Sequence, residues 1–115
     1  MLANGVSELI KESIKLELEN IKRNYGENYN SAHEGYAVLL EEVEEVEECL
    51  RYIRTDIKIL WERVKNNFKD LENINKSAEL LMVVVNAKQL AEEAVQVAAV
   101  AEKFVQTIDL KGVED

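Results

Sequence analysis

No proline occurs anywhere in the 115 residues, and glycine stands at only four positions, Gly5, Gly26, Gly35 and Gly112. Proline removes a backbone donor and clashes with the preceding turn, so a chain without it meets no hard stop inside a helix. An interior glycine costs only about 1 kcal/mol relative to alanine. Long helices are therefore open to this chain. Apolar spacing agrees. Over residues 7–24, Ile10, Ile14, Leu18 and Ile21, with Tyr25 just beyond, recur at steps of three and four, the mark of an amphipathic helix. Residues 26–30, Gly-Glu-Asn-Tyr-Asn, are turn chemistry and close it.

A second helix is announced by Ser31-Ala32-His33-Glu34. This is capping-box spacing, in which the Ser31 hydroxyl accepts from the amide of Glu34 and the Glu34 side chain reaches back. Behind it Tyr36, Leu39, Val43, Val46, Leu50, Ile53, Ile57, Leu60 and Val64 step by three and four alternately. Four heptads of this kind predict packing against neighbours at shallow angles. Two helix-poor residues, Asn66 and Asn67, mark the expected break. Residues 68–76 read as a connector with helical character around Leu71 and Ile74. A last helix is expected over 77–109, with Gly112 past its end. Its seam is Val84, Ala87, Ala91, Ala94, Ala98, Ala101, Val105 and Ile108, with Leu90, Val97, Val100 and Phe104 in a row beside it. So wide an apolar arc makes this helix central. The expectation is an all-α fold, a single domain over 1–115 built as an antiparallel helical bundle of long helices. Its apolar surface exceeds what one small chain covers, which predicts a homodimer or homotetramer.

Hydrophobic residues make up 47% of the chain, which excludes a disordered tail in spite of 32% charged residues. Fourteen basic residues against 23 acidic ones leave a formal charge of −9. Such a chain has no basic footprint for nucleic acid. If it handles phosphates it must borrow positive charge, for which a divalent cation serves, although plain solubility also accounts for the acidity. Cys49 is the only cysteine, so no intramolecular disulfide forms and a reducing, cytoplasmic compartment is expected. No signal peptide is visible, and the longest apolar run, 80–85, is too short to cross a bilayer. One histidine, His33, and one cysteine do not make a zinc site.

Six glutamates crowd the second helix, at 41, 42, 44, 45, 47 and 48, and most of them need be no more than a solvated face. Rotation by about 100° per residue sorts them. Glu41 and Glu48 fall opposite the seam, Glu42 and Glu47 on its flanks, and Glu45 three residues beyond Glu42 on the same side. In the last helix Glu92 points to solvent. Glu93 falls among Leu90, Val97, Val100 and Phe104, inside the apolar arc, with Gln96 at the arc's edge. A carboxylate there must be protonated, ion-paired or metal-bound. Lys88, Arg51, Arg54 and Lys58 are available as ion-pair partners. For metal speaks the oxygen count: Glu42, Glu45, Glu93 and Gln96 come from two helices at matching spacing, and Mg²⁺ prefers such ligands.

These are also the residues that carry a family resemblance. Leu40-Glu41-Glu42-Val43-Glu44-Glu45-Val46 resembles the Glu-x-x-Glu helix of the MazG-type, all-α nucleoside triphosphate pyrophosphohydrolases. Glu92-Glu93-Ala94-Val95-Gln96-Val97-Ala98-Ala99 resembles their second motif, Glu-x-x-Asp, and Ser31-Ala32-His33-Glu34-Gly35-Tyr36-Ala37 resembles a subgroup of small MazG-like proteins. The likeness covers roughly 25–50 and 87–108, and 51–86 has no counterpart. It implies hydrolysis of a nucleoside triphosphate between the α and β phosphates, giving monophosphate and pyrophosphate, as nucleotide house-cleaning. It implies Mg²⁺, with Mn²⁺ as substitute, held by Glu42, Glu45 and Glu93. Gln96 departs from the pattern, keeping a carbonyl oxygen where the family has aspartate and losing a charge.

On this reading Glu42 or Glu45 accepts the proton of an attacking water. Lys88, Arg54 or Lys58 would meet phosphate oxygens. His33 reads as a surface residue at a helix start, and Trp61 and the tyrosines as packing residues. Two other classes stand beside the enzyme: a catalytically reduced protein that binds nucleotide or metal, which Gln96 favours, and a structural helical module in which Glu93 meets a basic partner.

Overall fold

The computed structural model describes residues 1–66 and 78–111. Over these the chain is all-α, with three helices and no strand: α1 at Val6–Tyr25, α2 at Ala32–Asn66 and α3 at Ala78–Lys111. The connector expected at 68–76 and the stop expected at Gly112 lie outside the described residues. No helix among them is long and apolar enough to cross a membrane.

Local chemistry sets the helix ends. Gly5 and Gly26 flank α1 with φ of 88° and 94°, a conformation glycine adopts without steric cost. The Gly26 amide donates to the Lys22 carbonyl at 2.9 Å. Glu8 in the first turn and Lys22 and Arg23 in the last complement the helix dipole. At the start of α2 the Glu34 amide donates to Ser31 Oγ at 3.1 Å. The Glu34 carboxylate reaches back one residue further than a capping box requires, accepting from the Asn30 amide at 3.0 Å.

Contacts divide the chain into two compact units, Met1–Glu44 with Glu93–Asp115, and Glu45–Glu92. The first joins α1, the beginning of α2 and the latter part of α3. Its core is Ile21, Tyr29, Ala99 and Val100, with Ile14, Leu18, Val38, Leu39 and Phe104 packed around them. Polar ties surround it: the Tyr29 amide donates to Thr107 Oγ1 at 3.1 Å, and Lys22 Nζ donates to Gln106 Oε1. The Tyr29 and Phe104 rings meet edge to face with centroids 6.0 Å apart. Phe104 aims its ring tip at Gly35, where an added Cβ would come within 2.9 Å of three ring carbons. In the second unit Asn86 Nδ2 donates to Asp56 Oδ2 at 3.1 Å, and Arg63 to Glu79 Oε1 at 2.9 Å. Cys49 is buried there.

The buried faces depart in part from those expected. On α2, Leu39, Val46, Ile53 and Leu60 lie at least half-buried as anticipated, but Tyr36, Leu50 and Ile57 are exposed. Their places are taken by Gly35, Cys49 and Asp56, and Glu42 lies half-buried beside Val43. On α3 the second apolar row takes the interior: Val83, Asn86, Leu90, Glu93, Val97, Val100, Phe104 and Thr107 lie inward, while of the expected seam Ala98 and Ala101 stay half-buried and Val84, Ala87, Ala91, Ala94, Val105 and Ile108 are exposed. The reason is side-chain size. Burying leucine, valine or phenylalanine contributes about 1.5–3 kcal/mol each, and alanine much less. The row of large residues therefore wins the interior. Trp61, expected to pack, is 57% exposed with Lys65 Nζ 5.7 Å from its ring. Tyr25, Tyr36 and Tyr52 are exposed as well, and only Tyr29 packs.

Lys103, on the inward face of α3 in the first unit, is 1% exposed. Its ammonium lies 4.2 Å from the centre of the Tyr29 ring, a cation–π contact. Burial lowers the Lys103 pKa from its ordinary 10.5, against the opposing pull of Glu34 and Glu27, with Lys22 adding to the lowering. Burial also raises that of Tyr29, helped by Glu34 and Glu42.

Two outcomes follow from this packing. Gly35→Ala should lower stability by on the order of 1 kcal/mol, because overpacking outweighs the gain in helix propensity. Adding Phe104→Leu should recover part of that loss in a urea melt. For Lys103 the folded state releases its proton below pH 10.5, so the cost of burying the cation is fully present at neutral pH and fades as pH rises toward 10.5. Lys103→Met should therefore melt at a higher temperature than the parent at pH 7, and the gap should narrow between pH 7 and 10.

Candidate metal centre

Helix α2 is unbroken from Ala32 to Asn66, so Glu42 and Glu45, three residues apart, project from one side one turn from each other. Glu42 belongs to the first unit, as does Glu93 of α3; Glu45 follows Glu44, the last residue of that unit on α2. One carboxylate oxygen from each of Glu42, Glu45 and Glu93 lies within 4.8 Å of the other two. Glu42 and Glu93 are half-buried and Glu45 is exposed. The inward turn of α3 is what brings Glu93 here, since it shares a face with Leu90, Val97 and Val100.

The donor set suits a hard divalent cation. Mg²⁺ holds oxygens at about 2.1 Å, so two ligands on opposite sides of it stand about 4.2 Å apart. Three oxygens within 4.8 Å need only a small adjustment to share one such ion. Mg²⁺ also keeps several waters and leaves positions for phosphate oxygens, which an exposed third carboxylate permits.

Gln96 is engaged elsewhere. Its Nε2 donates to Glu17 Oε2 on α1 at 2.8 Å. That bond commits the amide nitrogen to α1 and leaves the Oε1 atom as the side chain's acceptor. Glu17 was not among the expected site residues. Its signal lay in the rotation that singled out Glu93: one turn from Ile14 and Ile21 and beside Leu18, it sits on the flank of the α1 stripe, and it is half-buried.

The cations expected at phosphate, Arg54, Lys58 and Lys88, are all exposed and belong to the second unit. Lys88 Nζ stands 4.0 Å from Glu92 Oε1 within its own helix. His33 is exposed, as its place at a helix start suggests. Glu41, Glu44, Glu47 and Glu48 face solvent, and Glu48 accepts a hydrogen bond from the Tyr52 hydroxyl at 2.7 Å.

Three carboxylates at this spacing would gain from a shared divalent cation. Millimolar Mg²⁺ or Mn²⁺ should raise the melting temperature of the parent chain in differential scanning fluorimetry. Glu93→Gln should erase that response, whereas Glu41→Gln should leave it intact. Comparison with family models, with curated proteins and with solved structures finds no match to this chain.

Proposed function

We propose that this chain is a Mg²⁺-dependent nucleoside triphosphate pyrophosphohydrolase of the MazG type, releasing monophosphate and pyrophosphate. The observation that carries the reading is the convergence of Glu42, Glu45 and Glu93 at the positions where both sequence motifs would put metal ligands. The three helices read best as an antiparallel bundle that acts in the cytoplasm on a free nucleotide, with neither nucleic acid nor membrane as partner.

A bound Mg²⁺ would supply positive charge for the polyphosphate and acidity for a water near the α phosphate. The chain's own residues do the rest. Glu42 and Glu93, half-buried on α2 and α3, would hold the cation. Glu45, the solvent-facing member, accepts the proton of the attacking water, with Glu42 as the alternative. Gln96 contributes at most a neutral oxygen, its amide nitrogen being held by Glu17. Lys88, Arg54 and Lys58 are the long exposed cations that would swing to phosphate oxygens.

The Gln96 bond also favours a second reading, a protein that binds nucleotide with Mg²⁺ and turns it over poorly or not at all. One experiment separates the two. The purified chain is incubated with a panel of canonical and modified nucleoside triphosphates and Mg²⁺, and pyrophosphate is assayed. The enzyme reading expects pyrophosphate and monophosphate in equal amounts, with kcat falling about 10²–10⁴-fold in Glu45→Gln and activity lost in Glu42→Gln and Glu93→Gln. A nucleotide-dependent rise in melting temperature without product would establish the binder. No product and no thermal response would sink both and leave a structural helical module.

A further inference from the structure

We propose that Glu17 on α1 is a positioning residue for the metal centre, fixing the Gln96 side chain so that its carbonyl oxygen serves the cation. The inference rests on the metal reading of Glu42, Glu45 and Glu93 and adds α1 to it. Glu17, Asn20, Glu93 and Gln96 all belong to the first unit. Gln96 Nε2 donates to Glu17 Oε2 at 2.8 Å, and the other oxygen, Glu17 Oε1, accepts from Asn20 Nδ2 at 3.1 Å. Both oxygens of this carboxylate are thus engaged by amide donors, one from its own helix and one from α3. Held at both ends, the Glu17 carboxylate has a defined direction, and it gives one to Gln96.

Direction matters because a side-chain amide has two unlike ends. Its nitrogen only donates and its oxygen only accepts. With Nε2 committed to α1, Oε1 is the branch left to the rest of the site. Helix geometry says where that is. Long side chains on a helix lean over the turn on their N-terminal side, so Gln96 lies over the turn that carries Glu93. Rotation sets the two about 60° apart around α3. Gln96 and Gln106 stand toward α1, where Glu17 and Lys22 meet them, and Glu93 stands toward Glu42 of α2. Gln96 therefore sits on the border, its nitrogen toward α1 and its oxygen on the side of the carboxylates.

The glutamine itself follows from this pairing. A carboxylate at 96 would set two acceptors face to face with no donor between them. An amide turns the same approach into a charge-assisted hydrogen bond. Both residues are half-buried, which strengthens that bond relative to one in open water. Groups that orient a metal ligand in this way change metal affinity by about 10- to 100-fold.

The test is calorimetric titration of the metal-free full chain with Mn²⁺ alone, beside the melting temperature of the metal-free protein. Glu17→Ala should weaken Mn²⁺ binding about tenfold. Glu17→Gln, whose carbonyl still accepts from the Gln96 amide, should recover most of that loss. In a Gln96→Met background Glu17→Ala should alter the affinity by no more than about twofold, because the group it acts through is gone. The sharpest variant exchanges the two groups, Glu17→Gln with Gln96→Glu. Its hydrogen bond is remade with donor and acceptor reversed, and a fourth carboxylate faces the cation. It should bind Mn²⁺ about tenfold more tightly than the parent, and it decides alone if Glu17→Ala fails to fold. A tie that merely fastened α1 to α3 would lower the metal-free melting temperature of Glu17→Ala and leave the affinities alike. That result, or an exchanged variant that binds no better than the parent, overturns the proposal while the metal centre stands. A parent that takes up no Mn²⁺ overturns the metal reading and this proposal together.

Discussion

A contest between two faces of one helix underlies most of what the structure contains. Helix α3 carries a row of leucine, valine and phenylalanine beside a row dominated by alanine, and the interior takes the heavier row. Once Leu90, Val97, Val100 and Phe104 turn inward, Glu93 goes with them, because it sits three residues from Leu90 and four from Val97. The polar residue is carried by its neighbours, and its burial follows from theirs. On α2 the Phe104 ring pressed against Gly35 fixes how the helix is turned. Gly35 and Glu42 are seven residues apart and share a face, so the turn that admits the ring also draws Glu42 inward.

The interior tolerates polarity elsewhere by giving it defined company. Asp56 and Asn86 share a hydrogen bond on inward faces of the second unit, and Thr107 joins the Tyr29 amide to its own helix by accepting from one and donating to the Lys103 carbonyl at 2.9 Å. Lys103 is the costly case, a cation under an aromatic ring with its charge state pushed toward neutral. An aromatic face offsets only part of lost hydration. Stability in the first unit is therefore spent where a purely apolar packing would have been available.

Helix existence and extent were legible because proline is absent and apolar periodicity is long. The Ser31 cap was legible because its hydroxyl needs only the right spacing to Glu34. What rotation alone misjudged was which of two adjacent rows faces inward: Tyr36, Leu50 and Ile57 score as apolar, yet Gly35, Cys49 and Asp56 hold the interior. Periodicity sees hydrophobicity per position, while the interior selects close approach and summed side-chain volume, which depend on the neighbouring helix. Glu42 and Glu93 could be singled out because their departure from the polar face is local to each helix, and the exposed Glu45 because it stands one turn from Glu42. Glu17 stands on the flank of the α1 stripe, but its pairing with Gln96 on another helix, 79 positions distant, is one that no spacing rule reveals.

The position of Cys49 has a practical corollary. It is the only sulfhydryl in the chain and it is buried, so thiol reagents meet no exposed target. A cysteine introduced at an exposed site would therefore be a uniquely addressable handle for a spectroscopic label.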